Sequence, residues 1–205
     1  VMFVVAAMSG NLSARVPVRF LLSLGLALVA AGLLLMRGLT ASSDWTALLP
    51  GFIVGGAGVG LINPALASTA IGVVPPQRSG MASGINSTFR QVGIATGIAA
   101  LGAVFQSQIS IRLAPQLART DAAAHAGQIA HAVAGGGAQA VLRSVPAAHR
   151  AQAALAIRGS FAGAMNEILL IGGIVAAVGA ALALVLIRGR DFATYAAPQA
   201  VHASA

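Results

Sequence analysis

Four apolar runs, at about residues 20–36, 47–74, 83–105 and 159–187, are each long enough to cross a bilayer. Lipid offers no hydrogen bonds to an exposed backbone, so runs of this kind specify α-helices packed side by side. One of them, Ser83 to Phe105, carries Arg90 about two turns from its start. A charge at that depth costs roughly 2.5–3.5 kcal/mol on the insertion scale, so Arg90 is expected to face protein or water. Asn86, Arg90, Gly93 and Gly97 follow one another at helical spacing and share one stripe. A polar and glycine stripe on a lipid-buried helix is a packing or pathway face, as expected of a polytopic transport protein.

Composition agrees with this reading. Hydrophobic residues make up 58% of the chain and charged residues 8%, against about 25% charged in soluble domains. The formal charge of +8 comes from twelve arginines and no lysine, with Asp44, Asp121, Glu167 and Asp191 as the acids. The arginines are scattered between apolar runs, which argues against a nucleic-acid partner and for anchoring at a membrane surface. Without cysteine there is no disulfide framework and no thiolate metal site. The chain opens on the apolar stretch Val1–Met8 with no basic leader ahead of it. The expectation is that Val1 lies partway along a helix that begins upstream.

The domain reading follows. Residues 1–105 hold membrane helices: the end of one span over 1–9, then spans at about 20–36, 47–74 and 83–105. Residues 106–158 are read as a long extracytoplasmic loop with a break at Gly135-Gly-Gly137, residues 159–187 as the last transmembrane helix, and 188–205 as a cytoplasmic tail. An interfacial helix leading into the last span is plausible from Ala151 onward. The 47–74 run is longer than a ~30 Å hydrocarbon core requires, so tilt, protruding ends or a kink at Pro64 is expected. Trp45 suits an interface. Arg15, Arg19, Arg78, Arg188 and Arg190 fall on one side and Arg37 on the other, which puts the C-terminus in the cytoplasm. The bias holds only with the 106–158 loop set aside, because that loop carries five arginines of its own.

Glycines four apart (Gly51 and Gly55, Gly56 and Gly60, Gly80 and Gly84, Gly93 and Gly97) let helix backbones approach closely. With Pro64 they make the Gly51–Gly60 helix a candidate for packing and hinge motion. Three roles stay open for Arg90: a helix-to-helix anchor, a pathway residue, or a side chain snorkelling to the near interface. Glu167, the acid inside a span, is either a proton site or an outer-vestibule residue reached by water. By depth, Arg90 and Glu167 should not be partners. Asn63, Asn86, Thr88, Gln91 and Asn166 are read as cross-helix hydrogen-bonding groups, with substrate contact for Asn63 and Asn86 as the minority reading. His125, His131 and His149 lack metal-ligand spacing, and no nucleophile elbow, phosphate loop or carboxylate pair appears, so neither a metal, a cofactor nor enzyme chemistry is expected.

The stretches Gly51-Phe-Ile-Val-Gly-Gly-Ala-Gly-Val-Gly-Leu-Ile-Asn-Pro-Ala65, Val74-Pro-Pro-Gln-Arg-Ser-Gly-Met-Ala-Ser-Gly84 and Asn86-Ser-Thr-Phe-Arg-Gln-Val-Gly-Ile-Ala-Thr-Gly97 resemble the major facilitator superfamily. The likeness is to its fourteen-helix drug:proton antiporter branch, the EmrB/QacA type. Gly10, Leu12, Arg15 and Arg19 match a degenerate copy of that superfamily's cytoplasmic loop motif, with Ala14 where an acid is preferred and Pro17 where glycine is.

The resemblance implies an all-α integral membrane fold, the C-terminal part of a major facilitator bundle with four full transmembrane helices and the end of a fifth. It implies a multi-pass protein of the plasma or inner membrane whose partners are the lipid bilayer, a missing N-terminal part, protons and a small amphipathic substrate. Proton-coupled drug efflux is the leading expectation. A metabolite or sugar permease, or a truncated membrane protein without transport, are the alternatives.

Overall fold

The computed structural model describes residues 5–6, 16–72, 74–117 and 125–187. The predicted N-terminal span end, the loop residues Gly10 and Arg15, and the 188–205 tail lie outside the described residues, apart from a helical Val5–Ala6. No strand occurs among the described residues. Helices α1 (Val18–Leu35), α2 (Leu49–Gly72), α3 (Ser79–Leu117), α4 (Ala126–Ala132), α5 (Ala138–Ser144) and α6 (Ala147–Leu186) follow in chain order. Short 3-10 turns at Trp45–Leu48 and Pro76–Arg78 precede α2 and α3, and a π turn at Val133–Gly137 joins α4 to α5. Four of these segments are long and apolar enough to cross a membrane, and all four helices show large apolar side chains on their outer surfaces. The protein is an all-α multi-pass membrane protein.

Prolines and glycines set the boundaries. Pro17 stands immediately before α1 with φ −53°, the fixed angle that suits a helix entrance. At the other end Met36 N–H donates to the Gly32 carbonyl, and Gly38, at φ +92°, turns the chain out of the helix. The Pro75-Pro76 pair separates α2 from α3, since neither residue has an N–H to continue a helix. Pro64 lies inside α2, where Asn63 Nδ2 donates back to the Val59 carbonyl at 3.2 Å.

The two long helices differ most from the sequence expectation. α3 has 39 residues and α6 has 40, roughly 60 Å each at 1.5 Å per residue and about twice a hydrocarbon core. Hydropathy marks where lipid can surround a helix. It does not mark where the helix stops. The sequence 147–158, rich in alanine, is a strong helix former and continues α6 well before Gly159. The segment read as a loop, 106–158, is therefore mostly helical in its described part: the end of α3, then α4, α5 and the start of α6. The glycine break is a kink inside that run, with Gly136 at φ +95°.

With α1 taken as rising, the 36–48 connection, α4 and α5 lie at one end of the bundle, called distal below, and the 73–78 turn at the proximal end. α1 packs along both α2 and α6, while α3 is held mainly by α6 and hardly touches α2. A distal cluster of Ile109, Leu113, Ala130, Val133, Ile157 and Ala164 joins α3, α4, the π turn and α6. Phe105 and Phe161 extend it with an edge-to-face ring contact at 5.6 Å. A proximal cluster of Leu21, Leu22 and Ala65 joins α1 to α2, with Ala183 of α6 and Ile187 just beyond its end against it.

Candidate functional site

The α1–α2 contact is a backbone-to-backbone seam. A Cβ placed on Gly32 would fall 2.6 Å from Gly55 N and 2.7 Å from Gly51 O, and one on Gly25 would fall 3.0 Å from Gly58 O. Gly51 also lies against the Met36 side chain. Two of the predicted packing glycines, Gly51 and Gly55, thus sit in a helix seam. Their partner on α1 is Gly32, while Gly25 meets Gly58 and Ile62; the sequence analysis does not single out this α1 pair although its seven-residue spacing is there to be read. Gly60 is buried, whereas Gly56 faces open space.

The Arg90 face is arranged differently. Gly80, Gly84, Gly93 and Gly97 have no neighbour within 4 Å of a built Cβ. Arg90 is exposed and Asn86 half-buried, and neither has a hydrogen-bond or ion-pair partner among the described residues. Gln91 is likewise exposed, and the Thr88 hydroxyl donates to the Gly84 carbonyl of its own helix at 3.0 Å. The stripe therefore lies along the proximal half of α3, which no described helix covers.

Of the five groups expected to bond across helices, Asn166 makes long-range bonds, though to a connection and not to a second helix. Its Oδ1 accepts from the Gly38 and Leu39 N–H groups, each at 3.0 Å, and its Nδ2 donates to the Leu39 carbonyl at 2.8 Å. One amide thus fastens the 36–48 connection to α6. Asn63, like Thr88, spends its donor within its own helix. A cross-helix bond that sequence reading missed comes from the buried Ser23, whose hydroxyl donates to the Ala180 carbonyl at 2.9 Å. A serine in an apolar run gives no sign of which carbonyl it will reach.

Glu167 pairs with Arg112 at 3.7 Å, with both side chains more than one-third exposed. The Arg112 guanidinium lies across Gly163, where a Cβ would come 2.8 Å from Nη1. The sequence expectation puts Arg112 in a loop; its place on α3 is what brings it to α6. Arg19, the described member of the loop motif, stands in the first turn of α1 with its guanidinium 4.6 Å from the Phe20 ring. Among the described residues no group of three or more metal-ligating side chains forms.

The structure thus holds two polar regions: an open Arg90 stripe near the proximal end and a distal clamp of Asn166, Glu167 and Arg112. The family model of the Major Facilitator Superfamily matches residues 1–117. The chain is 34% identical over 116 residues to "Multidrug resistance protein Stp" of Mycobacterium tuberculosis (strain ATCC 25618 / H37Rv), covering 57% of this chain and 21% of that protein. It is 34% identical over 114 residues to "Probable actinorhodin transporter" of Streptomyces coelicolor, covering 49% of this chain and 19% of that protein. The chain spans about a fifth of the length of these curated relatives. No solved structure matches it. With more than half of its residues inside the family match, and with four membrane-length helices, the chain belongs to the major facilitator superfamily.

Proposed function

We propose that these helices form one wall of a larger carrier of the fourteen-helix drug:proton antiporter branch, which expels amphipathic organic compounds at the expense of the proton gradient. The observation that carries this reading is the bare Arg90 stripe. A guanidinium on a membrane-length helix, flanked by Asn86 and two open glycines, calls for further helices or a water-filled cavity against it. The names of the relatives, a multidrug resistance protein and a probable actinorhodin transporter, support export of organic compounds.

In this reading α1, α2 and α6 form a rigid support through the glycine seam and the Ser23 bond. The proximal half of α3 meets the central cavity, with Arg90 and Asn86 on the pathway. Alternating access then moves this wall against the other half of the carrier. Glu167 serves as a distal protonatable group that Arg112 holds in place. The proximal end faces the cytoplasm of a cell whose plasma or inner membrane holds the carrier.

The test is ethidium efflux from energised cells making the complete carrier, with and without a protonophore. Efflux that stops when the gradient collapses is the expected result. No ethidium movement under either condition would refute the drug-export reading and favour a narrow-specificity permease.

A further inference from the structure

A cavity of about 390 Å³ opens at the distal end, between the 36–48 connection, α5 and α6. That volume lies within the range of small-molecule sites. Leu142, Ile157 and Phe161 supply an apolar floor, and Thr40, Gln139 and Arg158 stand among its walls. No carboxylate lines it. Ile157 to Phe161 stand roughly 37–44 Å along α6 from its proximal end, beyond a ~30 Å hydrocarbon core, so the cavity opens at or above headgroup level.

Arg158 is exposed and makes no hydrogen bond or ion pair among the described residues. Arg150 serves the carbonyls at the end of α5: its Nε donates to Leu142 O and its Nη2 to Val145 O, each at 3.1 Å. Glu167 is taken by Arg112. The result is a free guanidinium at the mouth of an apolar cavity, a pairing that suits one chemistry.

We infer that this cavity binds amphipathic organic anions, the anionic head on Arg158 and the apolar body against Leu142, Ile157 and Phe161. The head is a carboxylate, sulfonate or phosphate, groups that a guanidinium engages by charge-assisted, often paired, hydrogen bonds. Two sources share this chemistry: an anionic phospholipid of the adjacent leaflet, and an organic acid released on the distal side. The site's use as an exit station rests on the export reading above; the binding does not.

Trp45, the single tryptophan of the chain, lies on the same connection as Thr40 and is 72% exposed. It provides the readout. The complete carrier, with every tryptophan except Trp45 replaced by phenylalanine, is titrated in phosphatidylcholine vesicles with anilinonaphthalene sulfonate, an amphipathic anion that takes up tryptophan emission. Saturable quenching of Trp45 is expected, weakened at least about tenfold in Arg158→Gln and largely kept in Arg158→Lys. Ala154→Trp would fill the cavity from another wall but add a second emitter, so Ala154→Phe is the second variant and should also lose the saturable phase. Vesicles containing phosphatidylglycerol compete if a lipid headgroup is the natural occupant and leave the titration unchanged if a released acid is. A wild-type titration in both Arg158→Gln and Ala154→Phe, or no saturable phase in the parent, overturns the inference. Ethidium is a cation and does not require Arg158, so efflux that persists without anion binding separates failure of this site from failure of the export reading.

Discussion

Gly32→Leu should loosen the α1–α2 seam. The Cβ alone would meet Gly55 N at 2.6 Å and Gly51 O and Gly55 Cα at 2.7 Å. All three are backbone atoms, so no side-chain rotation relieves the contact. Reaching an ordinary Cβ separation requires the helices to part by roughly 0.8 Å before the rest of the leucine is accommodated, an overpacking expected to cost about 1–3 kcal/mol. That corresponds to about a 5- to 150-fold shift in the unfolding equilibrium. The measurement is reversible unfolding in mixed detergent micelles, followed by helical circular dichroism. Gly56→Leu is the matched control, because Gly56 has open space around it on the neighbouring helix. Equal stabilities of the two variants would refute the seam as the source of α1–α2 cohesion.

Asn166→Ala removes the acceptor of two amides and the donor to Leu39 O, so Gly38 and Leu39 should exchange their amide hydrogens at least about tenfold faster; unchanged exchange would show that the connection is held otherwise. Arg90→Ala in the complete carrier should abolish efflux while membrane insertion persists, and normal drug resistance in cells making it would sink both the pathway and the anchor roles. Glu167→Gln should change stability by less than about 1 kcal/mol, since its pair with Arg112 is substantially exposed. The same variant should uncouple efflux from the proton gradient, and fully coupled efflux would exclude Glu167 from the proton route.

Fold class was legible in the sequence because apolar run length is a direct consequence of bilayer thickness. All four predicted spans correspond to helices, and the Pro75-Pro76 turn stands where expected. The far ends of α3 and α6 were not legible, because beyond the membrane a helix is sustained by alanine content and tertiary packing, neither of which hydropathy registers. Arg112 shows the consequence: once α3 is allowed to run to Leu117, a supposed loop arginine becomes the partner of Glu167. The glycine pattern was readable on α2 but not its address, since spacing says that backbones approach without saying which backbone. For the candidate site, the Arg90 stripe was identified by placement alone. The Arg158 cavity was not, because it brings Thr40 and Ala41 against residues 138–161, roughly a hundred positions later.

The dependence of α3 on α6 has a consequence for biogenesis. α1 and α2 are neighbours in the chain and can pair as soon as both have left the ribosome. α3 finds little hold on α2, and the residues that secure it, Gly163, Ala164 and Glu167, are made some fifty residues after its end. Ser23 waits longer still for Ala180, 157 positions away. Among the helices of this chain, α3 therefore stays loosely held until the last one arrives and clasps both earlier parts. A premature stop between Leu117 and Gly163 would leave α3 without its contacts to α6, the kind of product that membrane quality-control proteases extract.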